Sequence, residues 1–188
     1  MEAKNDNQEL ATNTKRTFLE IYNPDNINRK LVKVRTVHDA LKAAEDYPTA
    51  YQAIGALRRH YGEKMVETVI KLYLVELCEL VNLKRPLTEK QIDTIAAEVV
   101  ASYYNLNIAD IHVIFRKAKN GDFGNLYESL DMPKVMSWFA DYFDERCEIA
   151  AEQSANSNTG DKHGNYTPER MRKYFDDLEK IVNKNNKR

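Results

Sequence analysis

Apolar residues recur along this chain at three- and four-residue intervals, a period that predicts helices over most of its length. The densest run covers residues 63–83, where Val66, Val69, Ile70, Leu72, Tyr73, Leu74, Val75, Leu77, Cys78 and Leu80 occupy more than one helical face. A helix apolar most of the way round belongs at the centre of a domain, and Lys64, Glu67, Lys71, Glu76 and Glu79 leave it a narrow solvent stripe. Before it, residues 37–46 and 48–61 read as two shorter helices. Thr36 is the N-cap of the first with Asp39 at N3, and Gly62 closes the second. After it, Pro86 blocks continuation, and Thr88-Glu89-Lys90-Gln91 has the spacing of a capping box. The helix so opened carries Ile92, Ile95, Ala96, Val99 and Val100 inward and reaches about Tyr104.

Residues 108–146 join a helix, a glycine-bearing corner and a longer aromatic helix. The first places Ile108, Ile111, Ile114, Phe115 and Ala118 inward and stops at Asn120-Gly121, since a left-handed residue there costs little without a Cβ. In the corner, Gly124 adds backbone freedom and Leu126 and Tyr127 are the residues that plug it onto the core. Asp131 caps the next helix, whose buried stripe is Val135, Met136, Phe139, Tyr142, Phe143, Cys147 and Ala150. Trp138 and Tyr142, one turn apart, either complete the core or mark a binding face. Arg146 has no acid at i±3 or i±4, so its ion pair is expected with another helix.

The ends read differently. Residues 1–35 form a mobile or extended arm in this reading, with 17–22 as a short strand or strap and 28–35 as an edge strand or surface arm. Residues 153–167 are polar and glycine-bearing and read as a linker. Residues 168–188 follow as an amphipathic helix with Met171, Tyr174, Phe175, Leu178, Ile181 and Val182 on one side. The expected fold is therefore all-α: one helical domain over residues 36–152, about six main helices around 63–83, with a tethered C-terminal helix.

Composition supports a globular chain, with 43% hydrophobic and 30% charged residues among 188. The first residues lack the apolar core of a signal peptide and no window suits a membrane span, so a cytoplasmic setting is the expectation. Cys78 and Cys147 read as small buried hydrophobes rather than a disulfide or metal pair. A formal charge of −1 provides no global field toward nucleic acid. Charge is nonetheless uneven. Residues 121–152 hold eight acids against Lys134 and Arg146, whereas basic residues gather at Arg29, Lys30, Lys33 and Arg35 and at Arg116, Lys117 and Lys119. Those seven are the candidate phosphate contacts.

Catalytic signatures do not assemble. Asp122-Phe123-Gly124 matches a protein-kinase triplet, but the chain has no Gly-rich phosphate loop or His-Arg-Asp loop to accompany it. Neither calcium-loop register around the corner places Gly at position six and Glu at twelve. His38, His60, His112 and His163 show no ligand spacing, and His112 beside an apolar stripe reads as a partly buried helix residue. Asp141, Asp144, Glu145 and Glu148 form an acidic ridge that reads as a solvated face. No catalytic residue, metal or cofactor is expected from these patterns.

The run Phe115-Arg116-Lys117-Ala118-Lys119-Asn120-Gly121, then Leu126-Tyr127, Asp131, Trp138-Phe139, Tyr142 and Glu145-Arg146, resembles an uncharacterised helical family carried by phages and mobile elements of gut Bacteroidetes. The likeness covers about residues 87–150, and no catalytic residues are established for that family. It implies a helical protein beside replication or recombination proteins. The organisation is loosely similar to phage helicase loaders as well, in architecture alone. The expected function is a non-enzymatic adaptor of mobile-element DNA replication or recombination, binding a replication-type protein. Trp138, Tyr142, Tyr174 and Phe175 are its candidate contact residues. The alternatives are direct nucleic-acid binding by the basic clusters, and an enzyme or metal protein whose site forms only in space.

Overall fold

A computed structural model describes residues 16–126 and 129–160, and every regular element among them is helical. Residues 16–22 form α1, followed by α2 (Pro24–Lys30), α3 (Val37–Asp46), α4 (Ile54–Tyr61), α5 (Glu63–Leu80), α6 (Glu89–Ser102), α7 (Ile108–Asn120) and α8 (Met132–Gly160). The chain divides into two compact units, residues 1–147 and 148–188. In the first, α5 touches α2, α4, α6 and α7, as expected of the central helix. The helix buried nearly all round is α7, where Ala109, Asp110, His112 and Val113 are enclosed along with the predicted stripe.

The extended arm is corrected. A strand over 17–22 would put Glu20 on the same face as Phe18 and Tyr22, whereas a helix sets those two rings one turn apart and leaves Glu20 outside. Phe18 and Tyr22 are buried with ring centroids 4.8 Å apart, and Phe18 lies 4.4 Å from Tyr61. Residues 28–35 are no strand either. Asn23 caps α2 by accepting the Asn26 N–H at 2.9 Å, Pro24 occupies the first turn, and Ile27 and Leu31 go into the core. A turn closed by Val34 N–H to Leu31 C=O at 2.9 Å then leads to α3. Residues 16–35 thus belong to the core unit.

Both threonine capping boxes form, Thr36 with Asp39 and Thr88 with Gln91. By contrast α4 starts at Ile54 rather than near Pro48. Its leading N–H groups, which a helix cannot satisfy itself, pair with the loop before α7: Ile54 N–H donates to Leu106 C=O at 2.7 Å and Gly55 N–H to Tyr104 C=O at 2.8 Å. A Cβ on Gly55 would stand 3.3 Å from that Tyr104 oxygen, so glycine permits the approach. At the other end of the unit, α8 buries Val135, Trp138, Phe139 and Tyr142. Cys147, expected inward, is exposed, and both cysteines are free thiols. The expected linker is corrected over residues 153–160, where α8 runs on to Gly160, the first glycine or proline after Pro133; residues 161–167 lie outside the described residues. The proposed C-terminal helix lies outside the described residues, and no described helix is long and apolar enough to cross a membrane.

The corner is built as the sequence implies. Gly121 sits at φ +83° and its N–H and that of Asp122 close onto Ala118 and Lys117 carbonyls, a Schellman-type end. Gly124 has φ +88°, Leu126 is buried, and Asp131 accepts the Lys134 N–H at 3.0 Å; Tyr127 is outside the described residues. Gly121→Ala is expected to cost about 1–2 kcal/mol, because an L side chain is strained at that φ, and Asp122→Ala less than about 0.5 kcal/mol. Urea midpoints of the two variants test this, and equal midpoints would contradict it.

Candidate functional site

Two polar clusters, one buried and one partly buried, sit on opposite faces of α7. The first starts at Asn107, whose side chain caps α7 by accepting the Ala109 and Asp110 N–H groups at 2.7 and 3.0 Å. Asp110 replies with one carboxylate oxygen, Oδ2, on the Asn107 N–H at 2.8 Å. That oxygen also accepts Arg146 Nε at 3.1 Å, while Oδ1 accepts the Tyr142 hydroxyl at 2.9 Å. Arg146 therefore pairs with another helix, as its surroundings in the sequence imply. Burial pushes the Asp110 carboxyl above the usual carboxylate range, against the pull of Arg146, the Asn107 N–H and the Tyr142 hydroxyl. Burial and the facing carboxylate drive the Tyr142 phenol upward. With both carboxylate oxygens engaged and no exposed surface, Asp110 ties helices together and is closed to a substrate.

The second cluster runs from α7 through α2 to α5. His112 Nδ1 is 3.0 Å from Asn28 Oδ1, the Asn28 amide donates to Glu76 Oε1 at 2.7 Å, and Lys119 Nζ donates to Glu76 Oε2 at 2.9 Å. Because the Asn28 amide nitrogen is committed to Glu76, its oxygen faces the ring and Nδ1 carries the proton. Burial lowers the His112 pKa to about 4, helped by Lys119 and Arg116 and opposed by the Leu31 and Val34 carbonyls.

The predicted contact residues are redistributed. Trp138 is 1% exposed and stacks on Phe123 at 5.5 Å, and Tyr142 is equally enclosed, so both complete the core and neither offers a binding face. Tyr174 and Phe175 lie outside the described residues. Of the seven cations, Lys117 pairs with Glu145 at 2.7 Å and Lys119 with Glu76 at 2.9 Å. Arg116 donates to the Val32 carbonyl at 3.0 Å, whereas Arg29, Lys30, Lys33 and Arg35 are exposed. Within the acidic ridge Asp141 and Asp144 are exposed. Among the described residues no group of three or more His, Cys, Asp or Glu could hold a metal ion. An open hollow of about 300 Å³ lies beside the corner, floored by Val81, Ala118 and Leu126 and rimmed by Asn82, Asn120 and Asn125.

What the periodicity argument missed is on α5. Leu72 and Val75 are 36% and 40% exposed within the expected charged stripe, Leu80 is 65% exposed off their line, and Glu67, expected on the stripe, is buried and pairs with Lys64 at 3.0 Å. The Lys71–Asp93 pair at 2.7 Å flanks Leu72 and Val75 on the α6 side, and Glu76 with Asn28 and Lys119 on the other. The signal is present in the sequence: Thr68, Leu72, Val75 and Glu79 share one helical face, with Lys71 and Glu76 on either side of Leu72 and Val75. Comparisons with protein-family models, curated proteins and solved structures return no match.

Two stability effects follow from the polar clusters. Arg146→Met leaves the Asp110 carboxylate without its cation and is expected to cost about 3–5 kcal/mol at pH 7. Removing the cation raises the folded-state carboxyl further above its unfolded value. Acid then protonates the folded form first, so the penalty shrinks between pH 7 and pH 5. An equal penalty at both pH values in urea unfolding would count against this account. For His112 the sign is opposite. The folded chain prefers the neutral ring, so this contribution is complete above about 6.5, the unfolded value, and is lost as pH falls toward the folded value near 4. His112→Asn should therefore lose less stability than the parent between pH 7 and pH 4.5, measured by the same unfolding curves.

Proposed function

We propose that this chain is a non-enzymatic helical adaptor that works by protein–protein binding, with the outward strip of α5 as its docking face. The observation that carries the reading is the exposed apolar pair Leu72 and Val75, one turn apart on a helix whose other side is core. An apolar centre between polar flanks has the anatomy of an interface, and a pair one turn apart on one helix suits a partner helix laid against it. Lys71 and Glu76 on the flanks are already paired, whereas Glu79 is exposed with no ion pair among the described residues. The occupant that fits is an amphipathic partner helix with an apolar stripe and a basic flank. The inward ionisable groups support the reading too, since the buried Asp110 and His112 and the half-buried Glu76 are taken up in helix-to-helix bonds.

The biological setting, mobile-element or phage DNA replication or recombination, rests on the resemblance of residues 87–150. It would make the partner a replication-type protein.

Affinity capture on the immobilised full chain, identification of the partner and titration with the purified partner provide the test. Leu72→Glu with Val75→Glu should weaken binding at least about tenfold, a 1.4 kcal/mol effect. Deletion of residues 161–188 should leave it unchanged. Binding indifferent to the double substitution, or abolished by the deletion, would refute the α5 face.

A further inference from the structure

The structure splits the seven candidate phosphate contacts into spent and available cations. Lys117 and Lys119 are neutralised by Glu145 and Glu76. Arg29, Lys30, Lys33 and Arg35 stand within one helix end and the turn that follows it, all exposed. Arg116 reaches up from α7 and anchors that turn through the Val32 carbonyl at 3.0 Å, adding a fifth cation beneath it. None of the five makes an ion pair with a carboxylate among the described residues. Arg29 is held by Asn26 and by the Asp25 backbone carbonyl.

The two acids nearest this stretch in sequence, Asp25 and Asp39, offset only part of its charge. Asp39 accepts the Arg35 and Thr36 N–H groups at 3.0 and 3.1 Å, and the Arg35 N–H with the other capping contacts holds its carboxyl below the usual range. Asp25 lies at the opposite end of α2 from the turn. The overall charge of −1 therefore conceals a compact cationic cluster, set on a turn whose position α7 fixes.

We propose that this cluster, Arg29, Lys30, Lys33, Arg35 and Arg116, is a phosphate-backbone site for duplex nucleic acid, read without regard to sequence. Residues 29–35 contain no aromatic side chain on which unstacked bases could lie, which argues against a single-strand platform and for contact with the backbone alone. An anionic membrane is disfavoured by the same stretch. Its apolar residues Ile27 and Leu31 are buried in the core, and Val32 is the one large apolar side chain of the turn left exposed, too little to enter a headgroup layer. The site is independent of the α5 strip and stands or falls separately.

The test is fluorescence anisotropy of the full chain with a labelled 20-base-pair DNA duplex across 50 to 200 mM salt, with phosphatidylserine vesicles in a parallel arm. Five phosphate contacts predict a log–log salt slope of about −4 to −5. Lys30→Glu with Lys33→Glu should weaken binding at least about tenfold and reduce the slope by about two. The charge-matched control Arg59→Glu with Lys90→Glu, both exposed and elsewhere on the surface, should change neither. Circular dichroism of each variant separates lost contacts from lost folding, and Lys30→Gln with Lys33→Gln repeats the measurement with a smaller charge change. No salt-dependent duplex binding, equal loss in the control pair, or binding to vesicles alone would overturn the proposal.

Discussion

A carboxylate with no access to water, Asp110, has to be answered by its neighbours, and the arrangement of the core unit follows from how that is done. Taking an ionised group out of water costs several kcal/mol unless hydrogen bonds and an opposite charge replace the solvent. Here the replacements come from three places: the Asn107 backbone, Tyr142 and Arg146. Tyr142 and Arg146 are one turn apart on α8, so a single carboxylate fixes both the rotation of that helix and its register along α7. Apolar packing alone would tolerate a slip better, because a hydrophobic contact has no direction. The same N-cap region reaches α4, where the loop preceding Asn107 receives the helix's leading N–H groups. One capped helix start therefore orders three helices.

The opposite face of α7 follows a similar logic with weaker groups. Asp110 and His112 are two residues apart, about 200° around the helix at 3.6 residues per turn, so one faces α8 and the other α2. The His112–Asn28–Glu76 chain commits α2 to α5 and α7, and Arg116 and Lys119 continue along the same side. This explains why α7, an ordinary amphipathic helix in sequence, is enclosed all round. Its polar residues are absorbed by partners on both sides instead of facing solvent.

How much of this was legible in the sequence depends on how far apart the interacting residues lie. Local chemistry was readable: both threonine capping boxes, the glycine end of α7 and the Asp131 restart needed neighbours within a few positions. Residues 17–35 misled because a short apolar stretch suits either period, and the deciding contact, Phe18 on Tyr61, lies more than forty residues away. The start of α4 was missed for the same reason, since its capping partners are on the loop before α7. Asp110 carried a readable signal in the Asn107-x-x-Asp110 spacing, yet its ties to Tyr142 and Arg146 belong to the tertiary structure. Trp138 illustrates the limit from the other side: the sequence left core and binding face open, and stacking on Phe123 decided for the core.

Charge shows the same dependence on distance most clearly. Arg116, Lys117 and Lys119 are near neighbours in sequence and read as one cluster, but Lys117 and Lys119 meet Glu145 and Glu76, which lie 28 and 43 residues away. An ion pair lowers the long-range field of both its members, so those two lysines contribute little to attraction at a distance. What remains of these seven is Arg116 beneath four exposed cations at the end of α2 and just after it, a grouping that sequence proximity divides into two separate runs. The net charge of a chain constrains its field only when the pairing is known. Among the described residues, pairing takes Lys117 and Lys119 out of one run and leaves Arg116 beside the four exposed cations of the other.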